Sequence, residues 1–334
     1  MVDIETVLNE PSGIVLSSID NSKELIFSSI FPSVIAEADI ILNDLTHQKQ
    51  LFFKQSQLQR IAIDHIQGQS DPITFSIKKD SNNSQDHSFD FQYAKTLINE
   101  NILSKMVVYS QSNYQCLSQI TRLDILKKLL KNNFGQLYIV WTKDFTLFGR
   151  TPETLVHIDS QKISFDTLAG TTQGVFSKNH FEENNWVEKH LRQIALKYSL
   201  DLDDESIGEK EHGKIKHLYK KLSAPLPSKI SKLQFLEDLA PTPALGSFPK
   251  EKFSYLFQET QYSKKIHPHC FYGGNLSIKT TDTFNSIVLI RGATLIDSMI
   301  YINAGGGIVS SSNWEEEKKE IELKKEFIYD ILTN

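Results

Sequence analysis

The hydrophobic and polar positions along the chain follow two periodicities. Apolar residues alternate with polar ones, or form short runs bounded by Gly, Asp or Ser, in segments that predict strands at 13–18, 106–110, 136–141, 155–158, 162–165, 270–278, 286–293 and 299–303. They recur every three to four positions in segments that predict helices at 119–131, 181–198, 210–222, 249–260 and 314–332. Several neighbouring strands are joined by short turns, which are typical of antiparallel hairpins. Hairpins mixed with helices predict an α+β fold and not a doubly wound parallel sheet.

Composition and charge narrow the class of protein. The 334 residues carry a formal net charge of -5 and 40% hydrophobic residues, and the basic residues are spread along the chain. We therefore expect no nucleic-acid partner. The apolar runs are shorter than the roughly 20 residues that cross a bilayer, and the acidic N-terminus does not resemble a signal peptide. We therefore expect no membrane partner. Only Cys116 and Cys270 are available for disulfides, so we expect a cytoplasmic protein.

The last predicted helix carries charged residues on its apolar side. At about 100° per residue, Glu317, Glu320 and Lys324 fall in the same sector as Ile321 and Ile328. Burying these charges is costly unless they find partners. The pattern therefore indicates a metal ion, an anionic ligand or a network of ion pairs. A purely structural Glu320–Lys324 pair, one helical turn apart, is an equally good interpretation of this helix alone.

The helix predicted at 181–198 repeats this pattern more weakly. Glu188 lies at the margin of its apolar stripe, beside Ala195, so we expect a second helix to direct a carboxylate inward. Carboxylate ligands from separate elements, without a cysteine or a closely spaced histidine pair, favour Mg²⁺ over Zn²⁺. The alternative is that Glu188 is an ordinary surface residue.

A run of glycines precedes the last helix and follows a predicted strand. Without Cβ atoms, Gly305, Gly306 and Gly307 would let backbone N–H groups approach an anion closely. The spacing fits neither a dinucleotide fingerprint nor a P-loop. From the run alone, a plain tight turn is the favoured interpretation.

Ten features in sequence order carry a family resemblance. They are KMVV at 105–108, FGRTPETL at 148–155, LAGT at 168–171, Glu188, HL at 217–218, PTPAL at 241–245, FYGG at 271–274, IR at 290–291, AGGGIV at 304–309, and Glu317, Glu320 and Lys324 at their helical spacing. The series resembles the chorismate-binding enzymes, which include anthranilate synthase component I, aminodeoxychorismate synthase, isochorismate synthase and salicylate synthase. One departure is Lys189, where the family has a histidine directly after the metal-binding glutamate.

The resemblance implies a fold and a division of the chain. The family has a two-lobed α+β fold with an antiparallel-sheet core flanked by helices. We expect residues 101–334 to form the chorismate-binding catalytic region. Residues 1–100, in which we find no motif, would supply the remaining strands of what is one structural domain.

Particular positions separate the reactions within the family. Lys105 stands where the isochorismate-forming and salicylate-forming members carry a lysine that activates water. Ala169 stands where aminodeoxychorismate synthases commonly carry a nucleophilic lysine. The PTPAL segment resembles isochorismate synthases more than salicylate synthases. We therefore expect an isochorismate synthase, an isomerase that moves a hydroxyl group around a ring. The nearest alternative is a salicylate synthase, which would go on to eliminate pyruvate, and less favoured alternatives are an anthranilate-type enzyme and a non-catalytic chorismate-binding protein.

The resemblance also implies catalytic roles. Water must add at C2 of chorismate while the C4 hydroxyl leaves, so one base and one acid are needed. Lys105 can act as the base only as the neutral amine, and Glu153 can act as the acid only if it is protonated at neutral pH. His217 matches a histidine near the C4 hydroxyl, although it could also be an ordinary residue on the face of the predicted helix at 210–222.

The implied ligand contacts complete the predicted site. Glu188 and Glu320 match the family's ligands for Mg²⁺, with Glu317 acting through water. Arg291 can bind the enolpyruvyl carboxylate with two hydrogen bonds. The other substrate-binding residues implied are Gly170, Thr171, Tyr272, Gly305, Gly306, Gly307 and Lys324. We expect a monomer without a glutaminase subunit, and a product that feeds either menaquinone or siderophore biosynthesis.

Overall fold

The computed structural model describes residues 3–17, 23–67, 74–80, 87–172, 174–204, 206–212, 215–227 and 230–334. Its helices are α1 (Ile4–Asn9), α2 (Asp64–Gln67), α3 (Ser88–Asn99), α4 (Arg122–Leu130), α5 (Lys178–Lys197), α6 (Lys232–Leu239), α7 (Phe253–Gln258), α8 (Gln261–Lys265) and α9 (Trp314–Thr333). No helix within these ranges combines the length and the hydropathy that spanning a membrane requires.

Nineteen strands are formed by the same residues. They are β1 (Gly13–Ser17), β2 (Glu24–Pro32), β3 (Ile40–Asn43), β4 (Gln50–Gln55), β5 (Gln59–Ala62), β6 (Ile77–Lys79), β7 (Lys105–Cys116), β8 (Gln136–Trp141), β9 (Thr146–Thr151), β10 (Thr154–Ile158), β11 (Lys162–Thr172), β12 (Asp203–Asp204), β13 (Gly208–His212), β14 (Ile215–Pro225), β15 (Ser247–Phe248), β16 (Asn275–Lys279), β17 (Phe284–Val288), β18 (Gly292–Ile296) and β19 (Met299–Ile308).

The strands form two antiparallel sheets that share β2. Sheet A runs β5, β2, β1, β8, β9, β18, β19, β7, and the outer edge of β7 pairs with β6 and β15. Sheet B runs β2, β4, β3, β16, β17, β10, β11, β14, and the outer edge of β14 pairs with β12 and β13. The first half of β2 pairs within sheet A and its last residues pair within sheet B. The strands before residue 100 thus complete both sheets.

The sheets lie between two layers of helices. One apolar cluster joins side chains of both sheets, among them Ile14, Val140, Leu42 and Leu276. A second cluster packs α1, α4 and α9 on sheet A, and a third packs α5 and α6 on sheet B. An amphipathic face buried against each outer surface is what stabilises such helices, since propensity alone is too weak. The predicted α+β fold, with an antiparallel core flanked by helices, is confirmed.

Two local predictions were wrong, and a third was confirmed in part. The helix expected at 210–222 is instead the pair of strands β13 and β14, because β14 pairs with β11 over ten positions. Leu218 and Leu222 are four residues apart, a spacing that fits one face of either a helix or a strand. The helix expected at 249–260 is present, but it begins as a short 3-10 turn, Lys250–Lys252, and continues as α7 only to Gln258. The glycine run is not a turn, because all three glycines lie within β19, where Gly305 pairs with Tyr109 of β7.

Candidate active site

A cleft opens between the two sheets where β7 and β19 face β11 and β14. Its walls combine residues from both sheets and from α5 and α9, and about 580 Å³ inside it is free of protein atoms. The lining includes eight of the predicted site residues, namely Glu153, Gly170, His217, Tyr272, Arg291, Gly305, Gly307 and Lys324. An adjoining cavity shares Glu183, Gly307 and Lys324 with the cleft and adds Glu317 and Glu320. The structure therefore brings most of the predicted site together.

Lys105 lies directly behind Gly307, which lines this cleft. It is the first residue of β7, its side chain is fully buried, and its Nζ is 3.0 Å from Oε1 of Glu183. The pair depends on Gly307, since a Cβ built there would lie 1.6 Å from Oε1 of Glu183 and 2.7 Å from Cε of Lys105. No side chain fits at such distances. The glycine run thus makes room for an ion pair.

Glu153 faces the same interior from the turn between β9 and β10. Its side chain is buried, and its Oε1 has no hydrogen-bond partner among the described residues. Burial raises the pKa of Glu153 to about 8, the nearby charge of Asp166 raises it further, and Lys105 and Lys210 oppose the shift. The carboxyl group therefore holds a proton at neutral pH. Because the charge of Lys105 acts on it, the two groups share one buried environment.

Arg291 forms the cationic wall of the cleft. It is buried, and it adopts a left-handed backbone conformation with φ 52° just before β18. Its Nη2 donates to Nε2 of His217 at 3.2 Å, while Nη1 has no hydrogen-bond partner among the described residues. A buried donor without a partner costs about 1–3 kcal/mol, which an anion in the cleft would offset. Tyr272 lies beside it, and burial raises the pKa of the phenol.

His217 and the LAGT segment meet across two strands. His217 lies on β14, opposite Thr171 of β11, and not on a helix. Gly170 occupies a bulge in β11 with φ 73°, and a Cβ there would lie 2.8 Å from the Cβ of His180. This position therefore requires glycine. The side chain of Thr171 lies outside the described part of the chain.

The carboxylates of α9 lie in the adjoining cavity because of where that helix begins. The side chain of Asn313 accepts hydrogen bonds from the N–H groups of Glu315 and Glu316, and this cap places Glu317 in the first turn. Glu317 accepts a 2.7 Å hydrogen bond from Oγ of Ser312. Lys324 is 2.5 Å from Glu320, so the predicted structural pair is present, and it also donates to the carbonyl of Gly305 at 2.8 Å.

Negative charge accumulates in this cavity. Burial raises the pKa of Glu317 to about 8, and the charges of Glu320 and Glu183 raise it further. Three carboxyl groups from α5 and α9 that repel one another fit a hard divalent cation, which prefers oxygen ligands. As the side chains stand, no three Asp, Glu, His or Cys residues in the described ranges are close enough together to hold a metal ion. Binding would require these flexible side chains to change rotamer.

Glu188 does not join this group, so the prediction that it faces the site was wrong. Its Oε1 accepts from Nη2 of Arg192 at 2.6 Å and from Nζ of Lys220 at 2.9 Å. Burial alone would raise the pKa of Glu188, but these hydrogen bonds lower it. The side chain lines a separate depression beside Trp186 and Lys189. Glu183, five residues earlier and absent from the prediction, is the carboxylate that α5 directs into the site.

Comparison with known proteins gives a consistent result. A family model described as chorismate binding enzyme matches residues 31–333. Isochorismate synthase MenF of Haemophilus influenzae is 26% identical over 238 residues, which are 66% of this chain and 54% of that protein. The chain thus spans about half the length of the curated relatives it matches.

Two solved structures share the fold over almost the whole chain. DhbC from Bacillus anthracis, named as a 2,3-dihydroxybenzoate-specific isochorismate synthase, has a TM-score of 0.78 at 19% identity and covers 98% of this chain and 99% of its own. MenF of Escherichia coli, named as the menaquinone-specific isochorismate synthase, has a TM-score of 0.78 at 16% identity, with 99% and 91% covered. The family match begins at residue 31, well before the first motif recognised in the sequence. The chain belongs to the chorismate-binding enzyme family.

Proposed function

We propose that this protein is an isochorismate synthase. The observation that supports this most directly is that Glu153, a carboxyl group that holds its proton, lines the cleft, while a fully buried lysine, Lys105, lies directly behind Gly307 in the cleft wall. Both groups are costly to bury, and buried titratable groups beside a cleft are typical of catalytic sites. The names of the most similar relatives support the same reaction.

The reaction assigns one task to each of the two groups. Glu153 gives its proton to the C4 hydroxyl, which leaves as water. Lys105 takes a proton from the water that adds at C2, a task that only a neutral amine can perform. As the C2–O bond forms and the C4–O bond breaks, the ring double bonds shift from C1=C2 and C5=C6 to C1=C6 and C4=C5, so the product is an isomer of chorismate. One residue donates a proton while the other accepts one, so the reaction uses two different residues.

The substrate carboxylates would be held by the remaining walls. Arg291 offers its partnerless Nη1 to the enolpyruvyl carboxylate, and Tyr272 lies beside it. His217 accepts from Arg291 through Nε2, which requires the neutral ring, so this histidine orients the guanidinium as well as facing the cleft. Lys324 adds positive charge near the ring carboxylate.

We further propose that Glu183, Glu317 and Glu320 would hold Mg²⁺, with Glu183 in the place that the sequence assigned to Glu188. When bound, Mg²⁺ supplies the positive charge that fixes the ring carboxylate and offsets the repulsion among the three glutamates. We also infer a cytoplasmic monomer without a glutaminase subunit, a location that the free thiols of Cys116 and Cys270 support.

The decisive experiment is to identify the product. Purified protein is incubated with chorismate and Mg²⁺, and the products are separated by chromatography and assigned by NMR. We expect isochorismate, and we expect Lys105→Ala to remove its formation while the exposed-lysine control Lys318→Ala leaves it unchanged.

Other products would point to the alternatives. Salicylate fluorescence without an added lyase would mean a salicylate synthase, and anthranilate formed with ammonium would mean an anthranilate-type enzyme. No turnover in any of these assays, with chorismate still bound, would mean a non-catalytic binding protein. The menaquinone and siderophore pathways both consume isochorismate, and deleting the gene and then supplementing with each end product would separate them.

A further inference from the structure

A buried cluster behind Glu153 is not used by the reaction described so far. Asp166 of β11 is buried, and its Oδ1 accepts a 3.1 Å hydrogen bond from the hydroxyl of Tyr219. Lys210 of β13 lies 3.9 Å from its Oδ2 and 4.3 Å from the centre of the Tyr219 ring. Asp166 and Lys210 do not line the cleft. Burying a carboxylate here beside a partly exposed lysine needs another explanation.

Both residues form hydrogen bonds with the short backbone segment that carries Glu153. Nζ of Lys210 donates to the carbonyl of Pro152 at 3.3 Å, on one side of Glu153. Asp166 accepts from the backbone N–H of Thr154, on the other side. The carbonyl of Glu153 itself accepts from the N–H of Val288 at 3.1 Å. The segment is therefore fixed on both sides of the residue whose side chain enters the cleft.

The two buried carboxyl groups have unequal support. Burial raises the pKa of Asp166, but the charge of Lys210, the hydroxyl of Tyr219 and the N–H of Thr154 oppose this shift by stabilising the ionised form. Oε1 of Glu153 has no hydrogen-bond partner among the described residues. When two neighbouring acids share limited positive charge, the better-supported one ionises and the other keeps its proton.

We propose that Asp166 and Lys210 are positioning residues that clamp the backbone on both sides of Glu153, and that Asp166 carries the negative charge which leaves the proton on Glu153. The proposal deepens the proposed function, because a general acid needs both a fixed position and a proton. In this proposal the charges of Asp166 and Lys210, and not only burial in the cleft, determine the protonation of Glu153.

The groups facing Glu153 act in opposite directions. The charge of Asp166 raises the pKa of Glu153, whereas those of Lys105 and Lys210 lower it. Tyr272 also faces Glu153, and Lys221 faces Asp166. Removing the charge of Asp166 should therefore shift the titration of Glu153 to lower pH, and removing Lys210 should shift it to higher pH. A residue with a merely structural role would not produce opposite shifts.

The test measures the titration of Glu153 directly in the full-length protein. Infrared spectra are recorded against pH, and subtraction of the Glu153→Gln spectra isolates the band of the protonated acid. Asp166→Asn keeps the side-chain shape and the acceptor atom but removes the charge. Lys210→Met keeps the apolar stem at a side chain that is 35% exposed, so the variant should fold.

We expect Asp166→Asn to lower the midpoint by about one pH unit and Lys210→Met to raise it by about half a unit. The alkaline limb of kcat should move the same way, with KM changed less than about threefold. Midpoints that stay fixed, or that move in the same direction in both variants, would overturn the proposal. Opposite infrared shifts in a protein that forms no isochorismate would overturn only the proposed function.

Discussion

Glu153 and Glu317 are two buried carboxyl groups whose pKa values are both raised to about 8, but their surroundings differ. Glu153 has one carboxyl neighbour, Asp166, and two lysines act on it. Glu317 faces two further carboxylates, Glu320 and Glu183, with Lys324 as its compensating cation. The first site holds a single proton between fixed neighbours, whereas the second holds surplus negative charge that one cation could neutralise. Equal pKa values thus indicate different chemistry.

The largest expected effect is a loss of turnover when Glu153, and not an exposed glutamate, is replaced. Glu153→Gln removes the proton donor and should lower kcat by about 10²- to 10⁴-fold with little change in KM, because the donor acts only on the leaving hydroxyl. Steady-state kinetics with chorismate measure this effect. Glu315→Gln, an exposed glutamate on α9, is the matched control. If Glu153→Gln retained wild-type turnover, Glu153 would not be the acid.

The next effect distinguishes Glu317 from Glu153 by metal affinity. Glu317→Gln should weaken Mg²⁺ binding by about 10- to 100-fold, as expected for a residue that supports a metal site through hydrogen bonds or water. Calorimetric titration of the substrate-free protein with Mg²⁺ measures the affinity. In Glu153→Gln the affinity should match wild type. An equal loss in both variants would erase the distinction between the proton site and the cation site.

A smaller effect concerns stability and pH. Because the pKa of Glu153 is raised on folding, the folded state keeps a proton that the unfolded state loses near pH 4.3. Its contribution to stability is therefore full below that pH and declines as the pH rises towards 8. Between pH 5 and pH 8, the free energy of unfolding of Glu153→Gln should fall by about 1–3 kcal/mol less than that of wild type. Denaturant unfolding at both pH values measures this difference, and a parallel decline in the two proteins would contradict it.

Much of the fold could be predicted from the sequence because its strands and helices have local signatures. Gln136–Trp141 and the start of α9 lie where their patterns place them. The strands β2 to β5 were missed, although β2 has nine residues and β3 is fully buried, because their pairing is decided by distant residues. The helix predicted at 210–222 failed for a related reason, because pairing with β11 overrides a pattern that fits both structures.

The candidate site shows the same limit at one residue. The buried face of α5 contains Val187, His190 and Ile194. At about 100° per residue, Glu183 falls within the buried face, between His190 and Ile194, whereas Glu188 falls about 20° outside it, beyond Ala195. The helical periodicity alone could therefore have found Glu183. The family pattern directed attention to Glu188, although the lysine at 189 in place of the expected histidine was a sign that the pattern did not match there.

The smallest expected effect tests whether Glu183, and not Glu188, is the metal ligand on α5. Glu188→Gln removes the charge from two partly exposed ion pairs, with Arg192 and with Lys220, but keeps the side-chain shape and an acceptor oxygen, so the cost should be about 1 kcal/mol or less. We expect the free energy of unfolding to change by no more than that, and Mg²⁺ affinity and turnover to match wild type. Glu183→Gln, on the same helix, should weaken Mg²⁺ binding and remove the ionic partner of Lys105. If Glu188→Gln weakened Mg²⁺ binding and Glu183→Gln did not, Glu188 would be the metal ligand on α5, as the sequence predicted, and Glu183 would not.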